Sequence, residues 1–346
     1  MAGNNSLKRA QSNKEDEFYT QISDVEKELK HYTTHFKGKH VFCNCDDPEE
    51  SSFWRYFALN FNRLGLSRLT STHYKENGQS YRLDIYKDVP EEVKDKPTFI
   101  TLEGSNIDLP LGYITDLKED GDFRSDESID ILQECDIVVT NPPFSLFREF
   151  IAQLFEYQKD FLVIGNQNAI TYKEIFGYLK TNQMWLGANY GDMAFKVPAH
   201  YEPRKTRFWI DDFGQKWRSM GNICWFTNLD FKQRHEDLIL YKHYTPEEYK
   251  TYHNYDAIEV SKVVDIPVDY NGKMGVPITF LNKYNPEQFN IVGLANDKRV
   301  IDDAFVQGKE TYLDDNHKKF VGMVLDVNGV LKATYARIII TRKASK

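Results

Sequence analysis

Short apolar runs and segments with a helical spacing of apolar residues alternate along the chain between about residues 16 and 190. The runs that predict strands are 40–46, 68–74, 81–86, 98–102, 136–140 and 161–166. The segments that predict helices are 51–66, 125–136, 145–157 and 171–180. Strands that alternate with helices favour parallel pairing with right-handed crossovers. The pattern therefore predicts an α/β fold with a mostly parallel twisted sheet and helices on both faces.

The pattern changes after about residue 185, where strands and hairpins with long loops replace the alternation. Beyond residue 230, only 245–252 and a stretch near 285–289 have the character of helices. We therefore predict three parts, which are a flexible polar arm over 1–15, an α/β domain over 16–229, and a smaller, mixed and β-rich region over 230–346.

Composition narrows the classes of protein that fit this chain. No stretch is apolar for long enough to span a bilayer, and the amino terminus has no hydrophobic segment for export. We therefore predict a cytoplasmic protein without a membrane partner. The four cysteines do not have the spacing of a structural zinc site, so we predict reduced thiols and no metal.

The net charge of −8 argues against a protein held on nucleic acid by bulk charge, although a local basic face could still bind phosphates. The segment 196–218 has six basic residues against three acidic ones, interleaved with aromatic residues. Its basic residues are Lys196, Arg204, Lys205, Arg207, Lys216 and Arg218. Contacts to phosphates and a merely solvated hairpin both account for this composition.

Two polar clusters lie at the ends of predicted strands. Asn44-Cys45-Asp46-Asp47-Pro48 lies at the end of the first predicted strand, and Asn141-Pro142-Pro143-Phe144 follows the strand 136–140. In sheets of this kind, ligands bind beyond the carboxyl ends of the strands. Both clusters are therefore candidate parts of one site.

The Asn141–Phe144 cluster has the chemistry to hold an amino group on a flat ring. Prolines fix φ and have no amide donor, and an Asn side chain offers a carbonyl acceptor. Asn141 Oδ1 and the Pro142 carbonyl could accept the two protons of one NH₂ group, while Phe144 lies against the ring. The alternative is a turn that only ends the strand.

Several segments resemble the EcoRI-type adenine-specific DNA methyltransferase family, and they occur in the family's order over nearly the whole chain. They are DEFYTQ (16–21), VFCNCDDP (41–48), TNPPFSLF (140–147), GNICWFTNL (221–229) and VPITFLNKYNPEQFNIVG (276–293). The resemblance implies a Rossmann-like class I methyltransferase domain and a target-recognition region over 230–346. It also implies S-adenosylmethionine as methyl donor, with no metal, and N6 of adenine in double-stranded DNA as acceptor.

The resemblance implies cofactor-binding roles for three further groups of residues. They are Phe18, Tyr19 and Thr20, then Asn44, Asp46, Asp47 and Pro48, and finally Asp122 and Phe123. The second group replaces the usual glycine-rich loop, because no glycine lies between Val41 and Asn60. For one of its two acids the alternative is a cap of the following helix, and for Asp122 the alternative is a residue in a surface turn. An acid is also expected to bind the ribose of the cofactor, and both Glu76 and Glu103 are candidates for it.

The target adenine must leave the duplex to reach such a cleft, and an aromatic side chain must then stack on it. The resemblance implies that Trp225 or Phe226 stacks on the base. The alternative is that both residues belong to a buried strand. No general base is required, since the amine can attack first and lose its proton to water. Lys196, Arg204, Lys205 and Arg207 are the predicted contacts to DNA phosphates.

The predicted activity is therefore site-specific methylation of DNA by a monomer. The enzyme would act either as the modification partner of a restriction endonuclease or as an orphan methylase. Two alternatives stay open at this point. One is a methyltransferase acting on RNA or on a protein glutamine, and the other is a non-catalytic DNA-binding relative.

Overall fold

The computed structural model describes residues 19–73, 79–98, 112–295, 312–313, 319–320 and 323–343. The predicted arm over 1–15, Phe18, Glu76, Glu103 and most of the predicted strand 98–102 lie outside these ranges. The chain divides into two compact units. One comprises Met1–Gln167 with Gly187–Asp230, and the other comprises Asn168–Leu186 with Phe231–Lys346.

One large sheet has ten strands. They are β1 (Tyr19–Thr20), β2 (His40–Cys43), β3 (Arg68–His73), β4 (Tyr81–Tyr86), β5 (Gly112–Asp116), β6 (Ile137–Thr140), β7 (Asp160–Asn166), β8 (Trp185–Lys196), β9 (Phe208–Ile210) and β10 (Lys216–Thr227). Their order is β1-β8-β10-β7-β6-β2-β3-β4-β5, and β9 pairs with β10.

The centre of this sheet is parallel and its flanks are antiparallel. Strand β2 pairs in parallel with β3 and β6, and β6 pairs in parallel with β7. Strand β4 pairs antiparallel with both β3 and β5, and β10 pairs antiparallel with β7. The connection from β3 to β4 is too short for a crossover helix, and this explains the antiparallel pairing. The predicted α/β class is confirmed as a mixed α/β fold with a large mixed sheet.

Five α-helices accompany the strands in the described residues. They are α1 (Ile22–Leu29), α2 (Ser52–Leu64), α3 (Asp126–Glu134), α4 (Phe147–Glu156) and α5 (Lys173–Lys180). Helix α2 begins where the Ser51 hydroxyl accepts the amides of Phe53 and Trp54 at 3.0 and 3.3 Å. It ends at Gly65, which has a left-handed φ of 66°. Both features are standard helix boundaries, and they fix how the chain leaves β2.

The second unit contains a small sheet in the order β11-β12-β18-β13 and two short hairpins. The strands of the sheet are β11 (Ile258–Glu259), β12 (Met274–Pro277), β13 (Phe289–Ala295) and β18 (Arg337–Arg342). The hairpins are β14 (Tyr312–Leu313) with β15 (Lys319–Phe320), and β16 (Val324–Val327) with β17 (Val330–Ala333).

The helices predicted over 245–252 and 285–289 are wrong. The first segment forms a single turn, after which Thr251 bridges to Ile258 and extends the chain. In the second, the Asn285 side chain accepts the amide of Glu287 at 2.8 Å, and the chain then enters β13. Tertiary pairing outweighs helix propensity at both places. No helix within the described ranges is both long and apolar enough to cross a membrane.

Candidate active site

Asp46 connects the two polar clusters that follow β2 and β6. Its side chain is buried, with 9% of the residue exposed. One carboxylate oxygen accepts the Ser51 hydroxyl at 2.8 Å, and the other accepts the Thr140 hydroxyl and, at 3.3 Å, the backbone amide of Asn141. The Cys45 amide donates to the Thr140 hydroxyl at 3.1 Å. The loop after β2 therefore fixes the position where the Asn141–Phe144 cluster begins.

The Asp46 carboxyl group lies in an environment that disfavours its negative charge. Burial raises the pKa of Asp46 to about 6, although the hydrogen bonds from Thr140, Ser51 and Asn141 favour the ionised form. The neighbouring Asp47 adds to the rise through its own negative charge. The protein therefore keeps an unfavourable buried charge at this junction at neutral pH.

We predict that Asp46→Asn changes the pH dependence of stability. An acid with a raised folded-state pKa stabilises the protein at low pH, and this contribution is lost as the pH rises through the folded-state value. The free energy of unfolding of the wild type relative to the variant should fall by about 2–3 kcal/mol between about pH 3.5 and pH 7. Urea unfolding across this range measures the difference.

Asp212→Asn removes one exposed carboxylate and is the control for the loss of charge. If Asp46→Asn and Asp212→Asn show the same pH dependence, then Asp46 does not titrate as a buried acid.

Asn44 is the residue best placed to bind a polar ligand in this loop. It is 3% exposed, and neither its amide nitrogen nor its amide oxygen has a hydrogen-bond partner in the part of the chain that the structure describes. The hydroxyl of Thr20, which is 5% exposed, is also unpartnered within those residues. Buried polar groups normally have partners, because leaving them unpaired costs about 1–3 kcal/mol each. A polar ligand would supply them.

Asp47 pairs with a histidine at the end of the neighbouring strand. Its carboxylate lies 2.7 Å from His73 Nδ1, and the His73 ring stacks on Tyr81 with centroids 4.8 Å apart. Tyr81 in turn donates to Glu49 at 2.8 Å. Sequence reasoning assigned no role to His73. The parallel register of β2 and β3, which determines this pairing, is the signal that could have found it. Pro48, beside Asp47, is buried.

The carbonyl of Pro143 closes the turn that follows Asn141. Pro143 has a φ of −56°, and its carbonyl accepts the Leu146 amide at 3.0 Å, which starts the 3₁₀ turn Phe144–Leu146. Pro142 is buried, and Asn141 and Phe144 are partly exposed. The Pro143 carbonyl is therefore occupied by the turn, and the role of the Pro142 carbonyl as an acceptor beside Asn141 stays a prediction.

Asp122 and Phe123 already have protein partners. Arg124 donates to both carboxylate oxygens of Asp122 at 2.8 Å. Burial favours a higher pKa for Asp122, but the hydrogen bonds from Arg124 outweigh it and lower the pKa. Phe123 is 4% exposed and packs edge-on against Phe150 with centroids 5.1 Å apart. Their contact to the cofactor's adenine stays a prediction.

Trp225 and Phe226 lie in the core of the sheet. They are 1% and 0% exposed, and they pack against Phe53 and Phe147 with centroids 5.7 and 5.0 Å apart. This placement matches the alternative of a buried strand. Stacking on a flipped base stays a prediction, and it would require a rearrangement of this core.

The predicted phosphate-binding residues are on the surface. Lys196, Arg204, Lys205 and Arg207 are exposed, and Arg207 pairs with Asp192 at 3.2 Å. Lys196 is the last residue of β8 and pairs with Tyr19 of β1, and the other three precede β9. The structure therefore brings these cations to the part of the first unit that also carries the β9–β10 hairpin.

Comparison with known proteins bears directly on this site. The family described as "Adenine-specific methyltransferase EcoRI" matches residues 6–343. The chain belongs to this family. The predicted resemblance and the prediction of an adenine-specific methyltransferase are thereby confirmed. The matched range includes both polar clusters.

Individual relatives of the family support the same assignment. The chain is 48% identical over 301 residues to the Type II methyltransferase M.EcoRI of Escherichia coli, covering 84% of this chain and 89% of that protein. It is 38% identical over 348 residues to the Type II methyltransferase M.MgeORF184P of Mycoplasma genitalium, covering 97% and 98%. Type II methyltransferase M.MpnI of Mycoplasma pneumoniae is 37% identical over 342 residues, covering 97% of each chain. No solved structure matches significantly.

Proposed function

We propose that the protein is a site-specific DNA methyltransferase that transfers a methyl group from S-adenosylmethionine to N6 of a flipped-out adenine. The observation that carries this proposal is the junction at Asp46, whose carboxylate accepts the Thr140 hydroxyl and the Asn141 amide. It holds the predicted amine-binding cluster beside the predicted cofactor loop. The proposed domain is Rossmann-like, with 230–346 as a β-rich target-recognition region.

The strand order supports a ligand at this edge of the sheet. From β2 the chain continues to β3 on one side, and it later returns to place β6 on the other side. Strand order reverses at such a point, and the loops from the two central strands diverge and leave a crevice. The Asn44–Pro48 and Asn141–Phe144 clusters follow β2 and β6 at this position.

The chain's own residues would act by holding and orienting the target amine. Asn141 Oδ1 and the Pro142 carbonyl would accept its two protons and direct its lone pair away from the protein. They would also stabilise the positive charge that develops on the nitrogen as it attacks. Phe144 would lie against the adenine ring, and the proton would leave to water. Positioning and preorganised charge therefore supply the catalysis.

The loop after β2 fits the cofactor. S-adenosylmethionine supplies the methyl group when it is bound, and it carries an ammonium and a carboxylate beside its cationic sulfur. The unpartnered amide of Asn44 offers a donor and an acceptor, and the Thr20 hydroxyl offers another. The buried Asp46 and the adjacent Asp47 provide negative charge near the cationic groups.

Isothermal titration with S-adenosylmethionine tests this part of the proposal. We expect the wild type to bind, and Asn44→Ala to bind at least about tenfold more weakly, since a buried hydrogen-bonding group contributes about 1–3 kcal/mol. Asn60→Ala, on the partly exposed side of α2, is the control and should bind like the wild type. No measurable binding by the folded wild type would contradict the assigned cofactor and leave a non-catalytic relative as the better account.

Double-stranded DNA is the proposed substrate because the exposed basic residues of 196–218 match the charge of phosphates. A base inside the duplex is out of reach of the Asn141 cluster, so the adenine must rotate out. The names of the relatives include the term Type II, and on that basis we propose a role as the modification enzyme of a restriction-modification system or as an orphan methylase. We also propose that the protein acts as a monomer in the cytoplasm.

A further inference from the structure

The tip of the β9–β10 hairpin carries an aromatic side chain that is almost fully exposed. Phe213 is 94% exposed, and the same hairpin exposes Trp209 and Ile210 at 42% and 56%. Single exposed apolar residues are common, but several on one short hairpin form a patch of the kind that marks interaction sites.

The turn that presents Phe213 is well ordered by its own hydrogen bonds. The Asp211 carboxylate accepts the amides of Phe213 and Gln215 at 3.0 and 2.9 Å, and the Asp211 carbonyl accepts the Gly214 amide at 3.0 Å. Gly214 has a φ of 80°, which fits the turn-and-bulge form of a short hairpin. Below the tip, Trp209 and Trp217 stack across the strands with their ring planes 5° apart. The turn therefore fixes the backbone from which the Phe213 side chain extends.

The hairpin extends from the same edge of the sheet as the candidate active site. Strand β10 is antiparallel to β7, and Ile223 lies opposite Asn166, the last residue of β7. The residues of β10 that precede Ile223, together with β9, therefore continue past the carboxyl end of β7. Thr140, which ends β6, pairs with Val163 of β7, so the Asn141 cluster emerges at this edge too.

Basic side chains accompany the hairpin. Lys196, Arg204, Lys205 and Arg207 are exposed, and Lys196 lies 6.0 Å from the centre of the Trp217 ring. The acids at the turn are Asp211 and Asp212. Asp211 is occupied by the turn amides and by the Trp217 indole, which donates to it at 2.8 Å. A hairpin with an apolar tip and cations along its length is complementary to stacked bases flanked by phosphates.

We propose that Phe213 is a wedge that inserts between base steps of duplex DNA and unstacks them as the target adenine leaves the helix. This inference rests on the proposed function for its substrate, duplex DNA, and adds the means by which the duplex is opened. The exposed cations would hold the flanking phosphates. Because the backbone of the turn is already ordered and the ring is exposed, its insertion removes apolar surface from water and requires little new ordering of the backbone.

Two measurements with Phe213→Ala test the wedge. In the first, the variant methylates one duplex with the target adenine paired and another with the adenine opposite an abasic site. We expect a rate at least about tenfold below the wild type on the paired duplex, and within about twofold of it on the unpaired duplex, where less stacking opposes extrusion. In the second, closed circular DNA is relaxed by a topoisomerase in the presence of protein. The wild type should unwind the DNA, and the variant should unwind it much less.

Ile114→Ala is the control, because Ile114 is 43% exposed on β5, at the far end of the strand order from β8 and β10. It should match the wild type in both measurements. Three results would overturn the wedge. They are an equal loss of methylation rate by Phe213→Ala on the paired and unpaired duplexes, equal rates for the variant and the wild type on both duplexes, and no unwinding of DNA by the wild type. Unwinding that depends on Phe213 without any methyl transfer by the wild type would support the wedge and refute the proposed function.

Discussion

Asn141→Ala should lower the single-turnover rate of methyl transfer by about 10²- to 10³-fold, which is the usual effect of removing one preorganised polar group from a transition state. The side chain follows β6 directly, and its backbone amide is held by the buried Asp46 carboxylate at 3.3 Å. Alanine keeps this backbone contact and removes only the amide acceptor. The target amine would then lose one of its two proposed acceptors, and its lone pair would no longer be directed.

Asn141→Asp is the matched control, because a carboxylate oxygen can still accept a proton of the amine. It should retain much more activity than Asn141→Ala. Affinity for S-adenosylmethionine, measured by titration, should change by less than about threefold in both variants, since the predicted cofactor contacts lie elsewhere. Wild-type turnover by Asn141→Ala would show that this side chain does not hold the amine.

Glu28→Ala should lower the free energy of unfolding by about 3–5 kcal/mol, because several buried donors lose their acceptor and each unpaired donor costs about 1–3 kcal/mol. Glu28 is fully buried, and its carboxylate accepts the backbone amides of Ala188 and Asn189, each at 2.8 Å. It also accepts the Asn189 side chain at 2.7 Å and the Tyr32 hydroxyl at 2.8 Å. Alanine would leave these donors buried without an acceptor and would open a cavity between α1 and β8.

Glu28→Gln is the comparison variant, because it preserves the volume and one acceptor oxygen while removing the charge. Burial raises the pKa of Glu28, so the loss of the charge itself is less harmful than the loss of the acceptors. We expect a smaller loss of stability for Glu28→Gln than for Glu28→Ala in urea unfolding. A loss below about 1 kcal/mol for Glu28→Ala would mean that solvent replaces the missing acceptor.

Local sequence was sufficient to predict the parts of this fold that depend on local chemistry. Ser is a residue type that commonly caps helices, and the Ser51 hydroxyl accepts the amides of Phe53 and Trp54 at the start of α2. The strand before Asn141 was predicted from a run of β-forming residues, and β6 ends at Thr140. The placement of both polar clusters after strands followed from the same pattern.

Features that depend on residues far apart in the sequence could not be predicted in this way. The contacts of Asp46 with Thr140, and of Glu28 with Asn189, require the sheet to be formed first. From its residue type alone, Glu28 is expected on the solvated face of a helix. It is buried because its carboxylate accepts the amides of Ala188 and Asn189 in β8. The segment 245–252 has helix-forming residues, but the pairing of Thr251 with Ile258 extends the chain instead.

The most direct test of the account is to identify the methylated product. Purified protein is incubated with S-adenosylmethionine and duplex DNA of mixed sequence, and the DNA is then digested and its nucleosides are separated by mass. We expect N6-methyldeoxyadenosine as the methylated nucleoside, and very little of it with Asn141→Ala. Methylation of another base, transfer only to RNA or to a protein glutamine, or no transfer by folded wild-type protein would contradict it.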